Sequence, residues 1–208
     1  MAQIDSIDPT RTALLTIDLQ NDFLHPDGAY GRAGQSAPAI AALPERIRPL
    51  RDALKAKGGV YISAQFTLVP GPDGEPLIAP HLKQLRPFLG RGDFAPGSWG
   101  NTLVDTLYPA DFTIEKVAYS AFYQTRLEFI LKKMAIDTLI VGGIVTNGGV
   151  ASTLRDAHLR DIDTIMLTDG CAAFKDAVHK ATVTSLATVC GQMSCADAKD
   201  LVEGATWV

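Results

Sequence analysis

Apolar residues along the chain fall into short blocks of two kinds. Ala13-Leu-Leu-Thr-Ile17 is a continuous apolar run closed by Asp18, the pattern of a strand buried on both faces. Residues 19–35, rich in Gly, Asp, Asn and Pro, read as a loop. From 38 to 57 the positions Ile40, Leu43, Ile47, Leu50 and Leu54 recur three or four apart, which predicts a helix ended by Gly58-Gly59. Val60–Phe66 predicts a second strand, Phe112–Lys116 a third, Thr138–Val141 a fourth and Thr164–Leu167 a fifth. A short sixth strand is expected near Gln192-Met193. Further helices are expected at Leu127–Met134, Asn147–Arg160, Asp176–Cys190 and Ala196–Val202. Residues 67–101 are the least regular part, rich in Pro and Gly. A stretch this long in a compact domain is functional or a lid.

Because strands alternate with helices, the pattern predicts one α/β domain over residues 1–208. It has three layers, α/β/α, around a mainly parallel six-stranded sheet. In such sheets the ligand lies beyond the carboxyl ends of the strands. Asp18, Gln65, Lys116 and the Val145–Gly149 turn all fall at those ends.

Composition narrows the partners. The chain has 208 residues, 47% hydrophobic and 20% charged, with a formal net charge of -4, an ordinary globular balance. With no basic run and no bilayer-length apolar stretch, neither nucleic acid nor membrane is expected. Met1–Ser6 has neither a basic nor an apolar leader segment, so a cytoplasmic location is expected. Cys171, Cys190 and Cys195 lack zinc-ligand spacing and read as small buried residues. His25, His81, His158 and His179 have no neighbour at ligand spacing. No metal and no cofactor are expected.

Asp18 alone reads as a loop cap, and Lys116 alone as a solvated lysine in a weak surface pair. Together at one mouth of the sheet they form an acid/base pair, which is a functional candidate. Gly142-Gly-Ile-Val-Thr-Asn-Gly-Gly149 joins an apolar strand to a helix. One reading of its glycines is close packing alone; the other is that a helix N-terminus there favours an anion. The spacing matches neither a dinucleotide fingerprint nor a P-loop.

Several motifs in order carry a family resemblance: Leu15-Thr-Ile-Asp-Leu-Gln-Asn-Asp-Phe23, Pro96-Gly-Ser-Trp-Gly100, Lys116-Val-Ala-Tyr-Ser-Ala-Phe122, Gly143-Ile-Val-Thr-Asn147 and Thr168-Asp-Gly-Cys-Ala-Ala-Phe174. From Ala13 to Glu203 the chain resembles the isochorismatase-like hydrolases, also called cysteine hydrolases. The resemblance places that family's Asp and Lys on Asp18 and Lys116, and its nucleophilic Cys on Gly149. It also implies a cis peptide before Val145 and an oxyanion hole from the N–H groups of Val145 and Gly149. The Asp and His metal ligands of nicotinamidases are missing from Ser63–Pro70.

Glycine at the thiol position, Ala64-Gln65 and Tyr119-Ser-Ala-Phe122 are similar to isochorismatases, which hydrolyse a vinyl ether without a thiol. Val145-Thr-Asn147 is instead similar to the cysteine-bearing amidases. The resemblance therefore implies a thiol-free hydrolase of a small anionic molecule, an isochorismate-type vinyl ether. Asp18 would be the general acid or base, Lys116 would hold substrate carboxylate or developing negative charge, and Gln65 would orient substrate or water. Phe23, Trp99, Tyr119, Phe122 and Asn147 would contact substrate. The alternatives are direct water attack on a small amide or ureide, and an inactive ligand-binding or structural protein. A homodimer or homotetramer is expected. One tension stays open in the sequence: the Lys116 ammonium favours ionised Asp18, burial favours the protonated form, and an acid must be protonated.

Overall fold

The computed structural model describes residues 6–205. The reading of Met1–Asp5 and the ends of the expected 1–208 span lie outside them. Six strands, β1 (Thr12–Ile17), β2 (Val60–Phe66), β3 (Phe112–Lys116), β4 (Thr138–Ile144), β5 (Asp163–Ala172) and β6 (Gly191–Met193), form one sheet. Their order is β3-β2-β1-β4-β5-β6, and every pairing is parallel. Helices α1 (Asn21–Leu24), α2 (Ala29–Arg32), α3 (Pro38–Ala41) and α4 (Leu43–Ala56) lie between β1 and β2, and α5 (Pro80–Leu85) lies between β2 and β3. Then come α6 (Leu127–Lys133), α7 (Ala151–His158), α8 (Asp176–Leu186) and α9 (Cys195–Gly204). The predicted α/β/α fold class is what the chain adopts.

Strand alternation divides the core in two. Ala13, Leu15 and Ile17 pack in a cluster with Leu127 and Leu131 of α6, Leu154 of α7 and Leu186 of α8. Leu14 faces the opposite cluster, with Ile47, Leu50 and Leu54 of α4 and Val202 of α9. Every residue of β1 is buried, which explains its unbroken apolar run. Burying a Leu or Ile side chain fully stabilises by about 1.5–3 kcal/mol, so these two clusters hold the helices to the sheet. The α4 stripe Leu43, Ile47, Leu50, Leu54 is buried as its spacing requires. The helix ends where Gly58 takes φ +84°, the left-handed position that glycine occupies without a Cβ clash.

Local differences from the expected elements have local causes. The helix expected over 147–160 begins as a π-helical turn at Thr146–Val150 and becomes α only from Ala151 to His158. The α8 helix stops at Leu186, short of Cys190. The fifth strand continues past Leu167 to Ala172, because its pairing with β4 shifts register between Val141 and Gly143 and then resumes at Gly143–Cys171. Cys171 is therefore inside a strand, buried as expected. The 19–35 segment is folded into α1 and α2, with Asp22 accepting from the Ala29 N–H at 2.9 Å and the Phe94 N–H at 2.6 Å.

β1 pairs with both β2 and β4, so the chain leaves the sheet in opposite directions on either side of β1. That reversal opens a crevice at the carboxyl ends of β1 and β4. A third cluster, built on Tyr30, Leu68, Leu89 and Phe94, sits apart from the two main cores. It draws on the 19–35 and 67–101 segments.

Candidate active site

Asp18 is the first residue past β1. It takes φ +60°, a left-handed conformation that Asp tolerates better than most side chains. Its N–H donates to the Ala64 carbonyl of β2 at 2.8 Å, which ties the turn to the sheet. Lys116 ends β3, whose burial alternates: Ile114 and Lys116 are buried while Thr113 and Glu115 are exposed. The period of two thus sends the lysine to the same side as a core isoleucine, and it is 1% exposed.

Lys116 Nζ donates to Asp18 Oδ2 at 2.8 Å and to the Ala118 carbonyl at 3.1 Å. It also lies 5.5 Å from the centroid of the Phe66 ring. The other Asp18 oxygen, Oδ1, is buried and has no hydrogen-bond partner among the described residues. Burial pushes the Asp18 carboxyl above the usual carboxylate range, against the opposing pull of Lys116 and, more weakly, of the nearby Phe66 N–H and of Arg86. Of the two influences left open by the sequence, burial is thus the larger on the carboxyl.

The β4 strand runs into the turn that carries the expected oxyanion donors. The Ile144–Val145 peptide is cis, as the resemblance implied. Gly149 lies in the π-helical turn, where its carbonyl accepts from Thr153 Oγ1 at 2.7 Å, and Thr153 Oγ1 accepts from the Ala121 N–H at 3.0 Å. A Cβ added at Gly149 would lie 3.3 Å from Asp18 Oδ2, but also 2.8 Å from Ile17 Cγ2 and 3.0 Å from the Ile144 carbonyl. An added Cβ would thus sit beside the carboxylate, and Ile17 would have to move to admit it.

These groups share a cavity of about 240 Å³, lined by Asp18, Lys116, Val145, Gly149, Phe23 and Tyr119 of the predicted residues. Four others are placed elsewhere. Gln65 is buried at the end of β2 but does not line the cavity; alternation along β2 gives that side to Phe66. Trp99 is half exposed and stands edge-on to His25, with ring centroids 4.9 Å apart. Phe122 is buried in the core under the Arg160 guanidinium. Asn147 is exposed and borders a separate groove between α7 and α8.

Sequence reasoning missed Tyr30, Phe66, His81, Arg86 and Phe174, which also line the wall, with Leu82, Val117 and Ala118 between them. The available signal was the irregular 67–101 segment, which supplies His81 and Arg86. Arg86 Nε donates to Tyr30 Oη at 2.6 Å. Burial pulls the Arg86 guanidinium down but is outweighed by Tyr30 and Tyr119, which hold it above its ordinary value. It stays a cation.

No cysteine lines the cavity among the described residues. Cys171 and Cys195 are buried, and burial pushes both thiols up, away from the thiolate form that reacts. Among the described residues no cluster of three His, Cys, Asp or Glu side chains could hold a metal ion. Nor, among them, is any helix long and apolar enough to cross a membrane.

Comparison with known proteins adds a family. A model of the isochorismatase domain matches residues 12–198. The ureidoacrylate amidohydrolase RutB of Methylobacterium radiotolerans is 33% identical over 201 residues, covering 91% of this chain and 78% of that protein. The uncharacterized isochorismatase family protein YwoC of Bacillus subtilis is 31% identical over 179 residues, 86% of each chain. Among solved structures, a cysteine hydrolase from Pseudomonas syringae pv. phaseolicola 1448A is similar with a TM-score of 0.82, at 26% identity over 96% of each chain.

Proposed function

Because this chain belongs to the isochorismatase family, we propose that its cavity hydrolyses a small molecule with Asp18 moving the proton and water, not a thiol, attacking. The observation that carries this reading is the Asp18 carboxyl itself. One oxygen is fixed by Lys116 at 2.8 Å, and the other is buried without a partner. An unmet buried acceptor costs about 1–3 kcal/mol, so Oδ1 is poised to take a proton or a hydrogen bond from a reacting group. A carboxyl raised toward neutrality serves better as a general acid or base than one at its ordinary value.

Gly149 stands in this reading where thiol-bearing relatives have their nucleophile, supported by the 3.3 Å that would separate an added Cβ from Asp18 Oδ2. The substrate class follows the relatives: a small amide or ureide. Asp18 takes a proton from water as the oxygen bonds to the carbonyl carbon. The N–H groups of Val145 and Gly149 hold the oxyanion. The C–N bond then breaks as the proton passes to the leaving nitrogen. Lys116 steadies the carboxylate while it is ionised.

The raised carboxyl favours a second reading, hydrolysis of a vinyl ether. There a protonated Asp18 gives its proton to the alkene carbon, water adds to the resulting oxocarbenium ion and returns a proton to the carboxylate, and the hemiketal C–O bond breaks as its hydroxyl proton passes to the leaving oxygen.

The pH profile separates the two. If Asp18 acts as a base on water, kcat/KM rises as pH rises through the carboxyl's raised pKa. If it acts as an acid on a vinyl ether, kcat/KM falls over the same range. In either case Lys116→Met removes the pull that opposes burial, so the limb moves to higher pH. Because the folded pKa is the higher one, stability from this group is fully present below the unfolded aspartate pKa and is lost as pH rises through the folded value. Lys116→Met enlarges that loss. A limb that stays put in the variant removes Asp18 as the titrating group.

Chemical modification gives an independent check. Iodoacetamide is expected to leave turnover intact while alkylating whatever thiols it reaches. Inactivation that substrate prevents would mean that a cysteine takes part.

A further inference from the structure

We infer that Arg86 selects the substrate by gripping a carboxylate on a small, flat molecule whose other end reaches Asp18. This rests on the reading of the cavity as a hydrolase site and assigns the anion to a residue other than the one the sequence favours. Lys116 is the sequence's candidate for a substrate carboxylate, but it is 1% exposed and already spans Asp18 Oδ2 and the Ala118 carbonyl. Two of its three donors are taken and almost none of its surface is open to a second anion.

Arg86 is the opposite case. Six other arginines, among them Arg11, Arg32 and Arg160, pair with carboxylates. Arg86 lines the cavity and has no carboxylate within 4.0 Å among the described residues. A guanidinium offers five donors in a planar fork matched to a carboxylate. Here Tyr30 takes Nε, and Tyr30 is itself held by stacking on Phe174 at 5.6 Å and by the edge of Phe88 at 5.1 Å. The fork is therefore positioned before any ligand arrives, which spares ordering entropy on binding.

Charge points the same way. The cavity wall carries two fixed cations, Lys116 and Arg86, and one carboxylate, Asp18. Asp18 offsets at most one of those cations, so whichever form the carboxyl takes the wall keeps an excess positive charge in a small space walled by Phe23, Phe66, Phe174 and Tyr30. A partly desolvated cation in such surroundings favours an anion. The volume, about 240 Å³, is below the roughly 300–1,000 Å³ of drug-sized sites. Aromatic walls suit a planar body. The ligand class is thus a short, planar monocarboxylate bearing the hydrolysable group at the end away from the acid.

The test is binding without turnover. Titrate trans-2-butenoate and its neutral isostere trans-2-butenamide into the wild-type, Arg86→Gln and Arg86→Lys proteins, following protein NMR shifts. The wild type is expected to bind the carboxylate about tenfold or more tightly than the amide. Arg86→Gln is expected to bring the carboxylate down to the affinity of the amide, in a protein whose urea midpoint stays near that of the wild type. Arg86→Lys should keep part of it, having the charge without the fork. A carboxylate preference that survives in Arg86→Gln, or no preference in the wild type, overturns the assignment. Neither result touches the hydrolase reading, which fails separately if the Asp18→Asn protein still turns over substrate.

Discussion

Replacing Asp18 with asparagine is expected to lower kcat/KM for whatever substrate the cavity accepts by roughly 100- to 10,000-fold, the range a positioned acid or base supplies. Asparagine keeps the size and one acceptor oxygen but carries no transferable proton. The same change leaves Lys116, 1% exposed, as a buried cation facing an amide. Breaking a buried pair by removing one partner costs about 3–5 kcal/mol, so loss of activity must be separated from loss of fold.

The Asp18→Asn, Lys116→Met double variant does this. It removes the stranded charge and should recover much of the stability, as read by the urea midpoint, while remaining inactive. Turnover is followed as ammonia from small amides and ureides and as carbonyl product from vinyl ethers. Activity within a few-fold of wild type in a folded Asp18→Asn protein would remove Asp18 from the chemistry.

Gly143→Ala is expected to be the most damaging small substitution in the sheet. Gly143 takes φ +119°, and a Cβ there would lie 2.2 Å from the Ile17 carbonyl oxygen and 2.7 Å from its nitrogen. Both obstacles are backbone atoms of the neighbouring strand, so no side chain can turn aside. Strain at such a φ costs about 1–3 kcal/mol, and overpacking adds about 1–3 kcal/mol more. A loss of about 3 kcal/mol or more is expected, read as a lower urea midpoint at unchanged slope.

The effect should reach the site as well. Gly143 pairs with Ile17, the residue before Asp18, so the backbone contact that admits only glycine also sets where the carboxyl begins. A Gly143→Ala protein as stable as wild type would mean that the two strands can separate locally at low cost. A control at Gly34 makes the contrast, because that glycine has φ +67° but nothing within 4 Å of an added Cβ. It should show only the conformational part of the penalty.

How much of the site was legible follows from how each residue is positioned. Asp18, Lys116, Val145 and Gly149 were found because strand ends are marked in the local sequence, by the close of an apolar run and by the start of a helix. Parallel topology then brings those ends together wherever they fall in the chain. Even the burial of Lys116 was within reach, since alternation from Ile114 already sends it inward. Tyr30, Arg86 and Phe174 were not legible, because no local period fixes the direction of a residue in an irregular segment.

Their placement depends on remote ties. Gln20 accepts from the Phe66 N–H at 2.7 Å and donates to the Asn101 carbonyl at 2.9 Å, and Asp22 holds Ala29 and Phe94. The same ties explain why Trp99, close in sequence to that network, ends outside the cavity, and core packing of α6 explains Phe122.

The sequence by itself determined the sheet, its layers and the strand ends that meet at the cavity, because hydrophobic period and turn chemistry act between residues a few positions apart. Only the tertiary structure decided which aromatic side chains wall the cavity, that Arg86 stands in it without a carboxylate partner, and that burial outweighs Lys116 at Asp18. Those outcomes depend on distances between segments far apart in the chain, and on a balance of desolvation against charge that exists only once the segments have met.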